Sequence, residues 1–592
     1  MTYREKLAAI RNQMLADNIQ AYIIPSADPH ISEYLPDRYK SILFASGFTG
    51  SAGTLVITMD FAGLWTDGRY YIQAVEQLSG TGYELVKLKA QGNAEYIDWL
   101  SEKLAPGDTI AFDARLISVQ LTQLLEQQFL FREINLRSDK DYLDPIWDNR
   151  PELPKAAAFL LDETITGEPV PEKLRRLRTA MQQCGAEYHL ISSLDDIAWL
   201  FNIRGSDVKC NPVVLSFALI SSDSARLFID VAKLDKKDKT LLLSWNVEIR
   251  NYNDIEYELA EIPASGSILI DPKRNCSALF EKIPDGVKVI FDVNPTTRFK
   301  AVKNPVEIGN IRETMIKDGV ALTRFYKWLE ENIGQIKITE IAASEQLYQF
   351  RAQQHGFIGE SFDTIAGYKA HGALPHYKAV PESNAELASD GLFLLDSGGQ
   401  YLRGTTDITR VISLGNLTEE EKTDYTLVLK GMIDGVTARF PKGSKGYQID
   451  AITRKPLWDY AANYGHGTGH GVGYFLNVHE GPQVFNAANV PVEIEPGMIT
   501  SIEPGIYRPG KHGIRIENLV LTVPDVSNEF GDFYTFETLT ICYIDTAAVE
   551  TALLDSRYIS WLNKYNGRVF EMLKPYLNEE EISWLQQKTK AI

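Results

Sequence analysis

Cysteine is scarce: four in 592 residues, at Cys184, Cys210, Cys276 and Cys542, with no CxxC pair. That scatter excludes a disulfide framework and a cysteine-ligated zinc site. Long apolar runs are missing too. The longest, Pro212 to Ile220, falls well short of the roughly 18 residues that a membrane span needs, and it reads as a buried strand. Positive charge is in the minority: 60 Lys and Arg against 79 Asp and Glu leave a net charge of −19. Such a surface repels phosphate backbones, so neither a nucleic-acid partner nor a membrane is expected. The opening residues, Met1-Thr2-Tyr3-Arg4-Glu5-Lys6, are charged with no apolar stretch behind them. No secretory leader is expected, and the cytoplasm is the expected compartment.

What remains is ample material for buried cores, with 44% apolar and 23% charged residues. The length calls for several domains. Two stretches begin alike: Glu5-Lys6-Leu7, Ile10-Arg11 and Met14 return as Glu172-Lys173-Leu174, Leu177-Arg178 and Met181, each at helical spacing. An apolar strand and a similar turn follow each, Ile24 to Asp28 and Ile191 to Asp195. Two related α/β domains are expected, at 1–154 and 155–300. Beyond them Glu307 to Leu329 reads as a long amphipathic helix. The rest, to about residue 545, carries short strands, Gly-rich turns and seven of the nine histidines. Asn578 with Glu581 predicts a capping box on a short final helix.

Four carboxylates in this last part stand where carboxylates are uncomfortable. Asp396 ends the apolar run Leu392 to Leu395. Asp407 follows a Ser397–Gln400 turn and precedes the strand Ile408 to Leu414, so a hairpin would bring the two face to face. Glu503 and Glu517 repeat the pattern across a turn centred on Gly510. In Ile514-Arg515-Ile516-Glu517 the two charged side chains share one strand face. Buried carboxylates without partners cost several kcal/mol each, so four converging call for metal cations. A histidine would complete such a set. His466 and His470 lie in Gly465–Gly473, where five glycines in nine residues forbid a helix, and extended chain puts both on one side. Oxygen-rich ligation with one imidazole suits Mn²⁺, Co²⁺ or Fe²⁺ better than Zn²⁺. Taken singly, an Asp in a turn is an ordinary cap, and a lone His an ordinary core or surface residue.

The order Asp396, Asp407, His470, Glu503, Glu517, in the strings Leu395-Asp396-Ser397-Gly398, Gly404 to Arg410, Gly467 to Gly473, Glu503-Pro504-Gly505 and Arg515-Ile516-Glu517, resembles the five metal ligands of the pita-bread metallopeptidases. Leu194 to Trp199, Asn202 to Gly205 and Ser361 to Ile365 are similar to the three-domain cytosolic type of Xaa-Pro aminopeptidase within that group. The resemblance covers nearly the whole chain. It implies an α/β (α+β) chain, with two creatinase-N-like α/β domains followed by a pita-bread catalytic domain at 301–592 carrying a C-terminal helical extension.

By the same resemblance two divalent ions are expected, Mn²⁺ first and Co²⁺, Fe²⁺ or Zn²⁺ behind it. Asp407 and Glu517 would bridge them, Asp396 would complete one site, and His470 with Glu503 the other. Glu503 is the expected proton carrier. His376, His466 and His479 fall at the family's supporting positions, and Arg515 would neutralise and orient a carboxylate or form a plain strand-face ion pair. His371 falls outside the pattern. The substrates implied are peptides with Xaa-Pro N-termini, and a homodimer is expected. His30 and Arg69 in the front domains either overhang the site or serve local turn chemistry. Two other readings compete: a prolidase confined to Xaa-Pro dipeptides, and a metal-free binding protein on the same fold.

Overall fold

The structure, a computed structural model, describes residues 1–89 and 94–592. The chain divides into two compact units, Met1–Asp162 with Glu168–Thr296, and Glu163–Gly167 with Thr297–Ile592.

The first unit holds two six-stranded sheets. One contains β1 (Ala21–Pro25), β2 (Thr54–Thr58), β3 (Ala62–Thr66), β4 (Glu84–Lys87), β5 (Thr109–Phe112) and β6 (Asn135–Arg137), in the order β4-β3-β2-β1-β5-β6. The other contains β7 (Tyr188–Ile191), β8 (Ser216–Ser221), β9 (Ala225–Ile229), β10 (Val247–Arg250), β11 (Ser267–Ile270) and β12 (Lys288–Phe291), in the order β10-β9-β8-β7-β11-β12. Every pairing direction matches as well: β1 runs antiparallel to β2 and parallel to β5, as β7 does to β8 and β11. Each sheet follows a helix whose apolar face is buried. Leu7, Ile10 and Met14 do this in Tyr3–Ala16, and Leu174, Leu177 and Met181 in Val170–Cys184. The repeated sequence pattern thus marks a repeated fold. The apolar run at Pro212 enters its strand only at Ser216.

His30 and Arg69 are both engaged inside this unit. His30 is buried, its Nδ1 3.0 Å from the Ser192 carbonyl oxygen and its Nε2 2.8 Å from Tyr252 Oη, with its ring stacked on Phe217. Burial drives its pKa down to about 3, so it sits neutral between its two partners. Arg69 forks onto Asp67 through two 2.8 Å bonds. Local packing and turn chemistry account for these contacts of both.

The second unit is built around the helix Pro305–Asn332. Asn304 caps it, accepting from the amides of Val306 and Glu307 while Glu307 returns a bond to the Asn304 amide, and proline occupies the first turn. Ile311, Met315, Leu322, Phe325, Tyr326 and Leu329 face a core shared with the strands around them. One three-stranded sheet joins Ile365–Tyr368, Leu392–Ser397 and Ile408–Ser413. A six-stranded sheet places Ile499–Ile502 between Gly469–Gly471 and Asn518–Asn528. The hairpin Gly505–Arg508 with His512–Arg515 turns at Gly510, where φ is +74°. The capping box at Asn578 and Glu581 is present on the final helix, Glu579–Lys588.

Candidate metal centre

Strand ends deliver the four acids. Leu392–Ser397 pairs with Ile408–Ser413 in a register that sets Asp396 against Thr409, with Asp407 just outside the pairing. The expected turn at Ser397–Gln400 is instead the start of a second small hairpin, Gly399–Tyr401 with Gly404–Thr405. Gly398 serves close approach there rather than reversal of the chain, since a Cβ would fall 2.0 Å from the Thr406 carbonyl oxygen. Glu503 follows Ile499–Ile502, and Glu517 lies between the hairpin strand His512–Arg515 and Asn518–Asn528. Ile514 and Ile516 point into the core, which leaves Arg515 and Glu517 on the opposite face.

The side chains converge. Ligating atoms of Asp407, His470 and Glu517 lie within 4.8 Å of one another. His470 Nε2 is 3.4 Å from Asp407 Oδ2 and 3.5 Å from Glu503 Oε1. Its Nδ1 lies 2.9 Å from the Gly471 carbonyl oxygen, to which it donates, so in the neutral ring Nε2 turns its lone pair to the place a cation would take. Asp396 Oδ2 accepts from Arg515 Nη2 at 2.6 Å. The second oxygen, Oδ1, is buried without a partner, and so is Glu517 Oε1. Thr409 Oγ1 links the two halves, donating to Glu517 Oε2 at 2.8 Å and accepting from Arg515 Nε at 3.1 Å.

Four carboxylates facing one guanidinium produce strong shifts. Burial pushes Glu517 well above the usual carboxylate range, and the charges of Asp407 and Glu503 add to it. Burial also raises Asp396, against the opposing charge of Arg515. Glu503 rises to about 7, through burial held back by His470 and Arg515. Burial works against a charge on His470, yet its bond to Asp407 and the neighbouring acids carry it up to about 9. Orphaned carboxylate oxygens in a pocket with excess negative charge fit hard divalent cations, and one imidazole among oxygens fits the same class.

The supporting residues fall in different places. His479 stands edge-on to His470, with ring centroids 4.3 Å apart at 68°. His466 bonds to a loop carbonyl and a phenol. It lies in a bend before Gly469–Gly471, its Nδ1 2.7 Å from the Gly467 carbonyl oxygen and its Nε2 2.7 Å from Tyr507 Oη. The helix Gly446–Trp458 anchors this loop: Arg454 donates to the His466 carbonyl at 2.6 Å, and Thr468 to Asp450 at 2.6 Å. His376 sits in a turn, half-buried, directly after Pro375, whose carbonyl accepts from Arg515 Nη2 at 3.3 Å.

Sequence reasoning missed four contributors. Tyr507 Oη accepts from Arg515 Nη1 at 2.7 Å. Thr409 bonds both Arg515 and Glu517. Ser501 donates to Glu503 Oε1 at 3.2 Å and accepts from the His470 amide at 3.0 Å. Arg410, fully buried, holds the Glu517 carbonyl at 2.5 Å. Strand alternation was the available signal, since Thr409 lies two residues from Asp407, and Tyr507 two from Gly505, each pair on one face.

The chain can now be set beside known proteins. A model of metallopeptidase family M24 matches residues 309–524, and a model of the C-terminal region of that peptidase matches 532–592. Two models of the Creatinase/Prolidase N-terminal domain match residues 6–138 and 149–307. A probable Xaa-Pro aminopeptidase P of Neurospora crassa is 38% identical over 99% of this chain and 88% of its own. The Xaa-Pro aminopeptidase 1 of Dictyostelium discoideum is 36% identical over 99% and 96%. The crystal structure of X-prolyl aminopeptidase from Caenorhabditis elegans, described as a cytosolic enzyme with a di-nuclear active site, superposes with a TM-score of 0.96 at 34% identity, covering 100% of both chains. An Xaa-Pro dipeptidase from Bacillus anthracis, 25% identical with a TM-score of 0.51, covers 64% of this chain and 99% of its own.

Proposed function

The chain belongs to the Xaa-Pro aminopeptidases of metallopeptidase family M24, and from that premise we infer that it is a metal-dependent hydrolase removing the N-terminal residue from peptides with proline in second position. The observation that carries this reading is the gathering of Asp396, Asp407, Glu503, Glu517 and His470 in one place, with two carboxylate oxygens left without partners.

Asp396, Asp407, His470, Glu503 and Glu517 would hold two divalent ions. Such a pair supplies a water acidified toward neutrality and a polarised scissile carbonyl. Manganese is the proposed occupant, because the set is four carboxylates and one imidazole. The protein's own groups do the rest. The X–Pro nitrogen carries no hydrogen and must gain a proton to leave. Glu503, with Ser501 fixing one of its oxygens, is the proposed carrier of that proton from the attacking water. His376 and His479 are proposed to donate to the developing oxyanion or to the peptide carbonyls.

His466 is proposed to act at one remove. With its Nδ1 proton on Gly467, its Nε2 accepts the Tyr507 hydroxyl. Tyr507 in turn accepts from Arg515, and Arg515 donates to Asp396. The chain of bonds fixes the carboxylate rather than touching substrate.

The boundaries 1–154, 155–300 and 301–592 are proposed on the shared topology of the two front sheets and the separate core behind them. A cytosolic homodimer is likewise proposed. The Caenorhabditis elegans enzyme is described as cytosolic, and no described helix is long and apolar enough to cross a membrane.

Specificity for peptides longer than two residues is supported by the front unit, since the Bacillus anthracis dipeptidase accounts for only 64% of this chain. The test compares Ala-Pro-Ala with Ala-Pro, each with chelator and with Mn²⁺ restored. Alanine release from the tripeptide, lost with chelator and regained with Mn²⁺, is expected. Cleavage of the dipeptide alone would make the chain a dipeptidase.

A further inference from the structure

His371 is a histidine that the proposed mechanism does not use, and its partner is a residue with no role so far. Glu340 is fully buried at the start of the helix Glu340–Ala352. Its Oε1 accepts from the Tyr368 amide at 2.8 Å and lies 2.8 Å from His371 Nδ1. Its Oε2 accepts from Tyr377 Oη at 2.9 Å and from the Ala385 amide at 2.9 Å. The His371 and Tyr377 rings stack on each other at 4.5 Å. One carboxylate therefore ties both ends of the excursion from Tyr368 to Ala385 and two rings within it.

The middle of that excursion is tied to the metal centre. Gly372 packs on Gly513 so tightly that a Cβ on Gly513 would fall 1.6 Å from the Gly372 carbonyl oxygen. Arg515, which holds Asp396, also holds the Pro375 carbonyl. His376 follows directly, between the Arg515 anchor and the Tyr377 anchor. A buried carboxylate is a poor choice for stability alone, because apolar packing of the same volume does as well or better. Four directed acceptor bonds fix position, which packing does less sharply.

We propose that Glu340 is a positioning residue for the peptidase reaction, whose carboxylate, through His371 and Tyr377, sets where His376 is presented to the bound peptide. This rests on the substrate-binding role proposed above for His376. Glutamine at 340 keeps the volume but replaces two acceptor sites with donors, leaving either His371 and the Tyr368 amide or Tyr377 and the Ala385 amide facing a donor. Misplacement of a reacting group by about 1 Å costs on the order of 100-fold.

The test is a double-mutant cycle in the full chain loaded with Mn²⁺, using Ala-Pro-Ala. Glu340→Gln is expected to lower kcat/KM roughly 10- to 100-fold with bound manganese unchanged. In a His376→Ala background the same change is expected to cost less than about twofold, because the group it positions is gone. Full multiplication of the two losses would overturn the proposal and leave the reading of His376 intact, as would an inert Glu340→Gln. A His376→Ala chain as active as its parent would remove that reading and the clamp with it. Should Glu340→Gln fail to fold, Tyr377→Phe, which deletes one hydroxyl from the same carboxylate, runs through the same cycle with the same two outcomes.

Discussion

His30 is buried and His470 partly buried, one in each compact unit, and their surroundings drive them in opposite directions. His30 sits between a carbonyl and a phenol and falls to about 3. His470 sits among Asp407 and Glu503 and rises to about 9. Burial alone yields a neutral structural imidazole, and the difference comes from the carboxylates. The front unit satisfies this histidine and needs nothing further, whereas the second unit gathers more negative charge than its own cations balance. That imbalance, rather than the presence of histidine, marks the functional region.

The largest break in the comparison comes from removing the excess charge. Asp407→Asn should lower kcat/KM on Ala-Pro-Ala by roughly 10²- to 10³-fold or more. His30→Ala should leave kcat/KM near the parent's, and steady-state kinetics on the two variants side by side checks both.

Chelation should act next. Ion binding at 100 times Kd stabilises by about 2.7 kcal/mol, and the gap should depend on pH. In the ion-free chain Glu503 is raised from 4.5 to about 7 and His470 from 6.5 to about 9. Raised values mean that bound protons favour the fold at low pH. The favour is lost across about 4.5–7 for Glu503 and about 6.5–9 for His470. The melting temperature of the chelated protein should therefore fall further below that of the Mn²⁺-loaded protein at about pH 8.5 than at about pH 6, as scanning calorimetry would show. A gap that narrows with rising pH would contradict this.

The smallest effect belongs to the front unit. His30→Ala leaves the Tyr252 hydroxyl and the Ser192 carbonyl without their partner, at about 1–3 kcal/mol, visible in denaturant unfolding.

Legibility followed the same divide. The repeated helix pattern at Glu5 and Glu172 revealed the duplicated fold because amphipathic spacing is local. Strand order was not legible, since it depends on pairings between distant segments. His30 was ambiguous for that reason, its two partners lying 162 and 222 residues along the chain. At the centre, the four acids could be named from carboxylates placed against apolar runs, whereas the choice of His470 over His466 came from the family resemblance. The turn at Ser397–Gln400 was misread because glycine serves close approach as well as chain reversal, and at Gly398 it serves the former. The bonds that anchor the His466 loop were not legible, because the helix that supplies them lies outside the motif. Thr409, Tyr507 and Glu340 look like ordinary strand and helix residues, and only their bonds distinguish them.

The most direct measurement is a calorimetric titration of Mn²⁺ into the chelator-stripped chain, with alanine release from Ala-Pro-Ala followed on the same samples. Two ions per chain are predicted, with activity appearing only as they bind and with proton release at about pH 7, as the raised carboxyls and His470 give up their protons to the ion. A single ion or none, with cleavage persisting in chelator, would contradict the assignment of the five residues as a dinuclear metal centre.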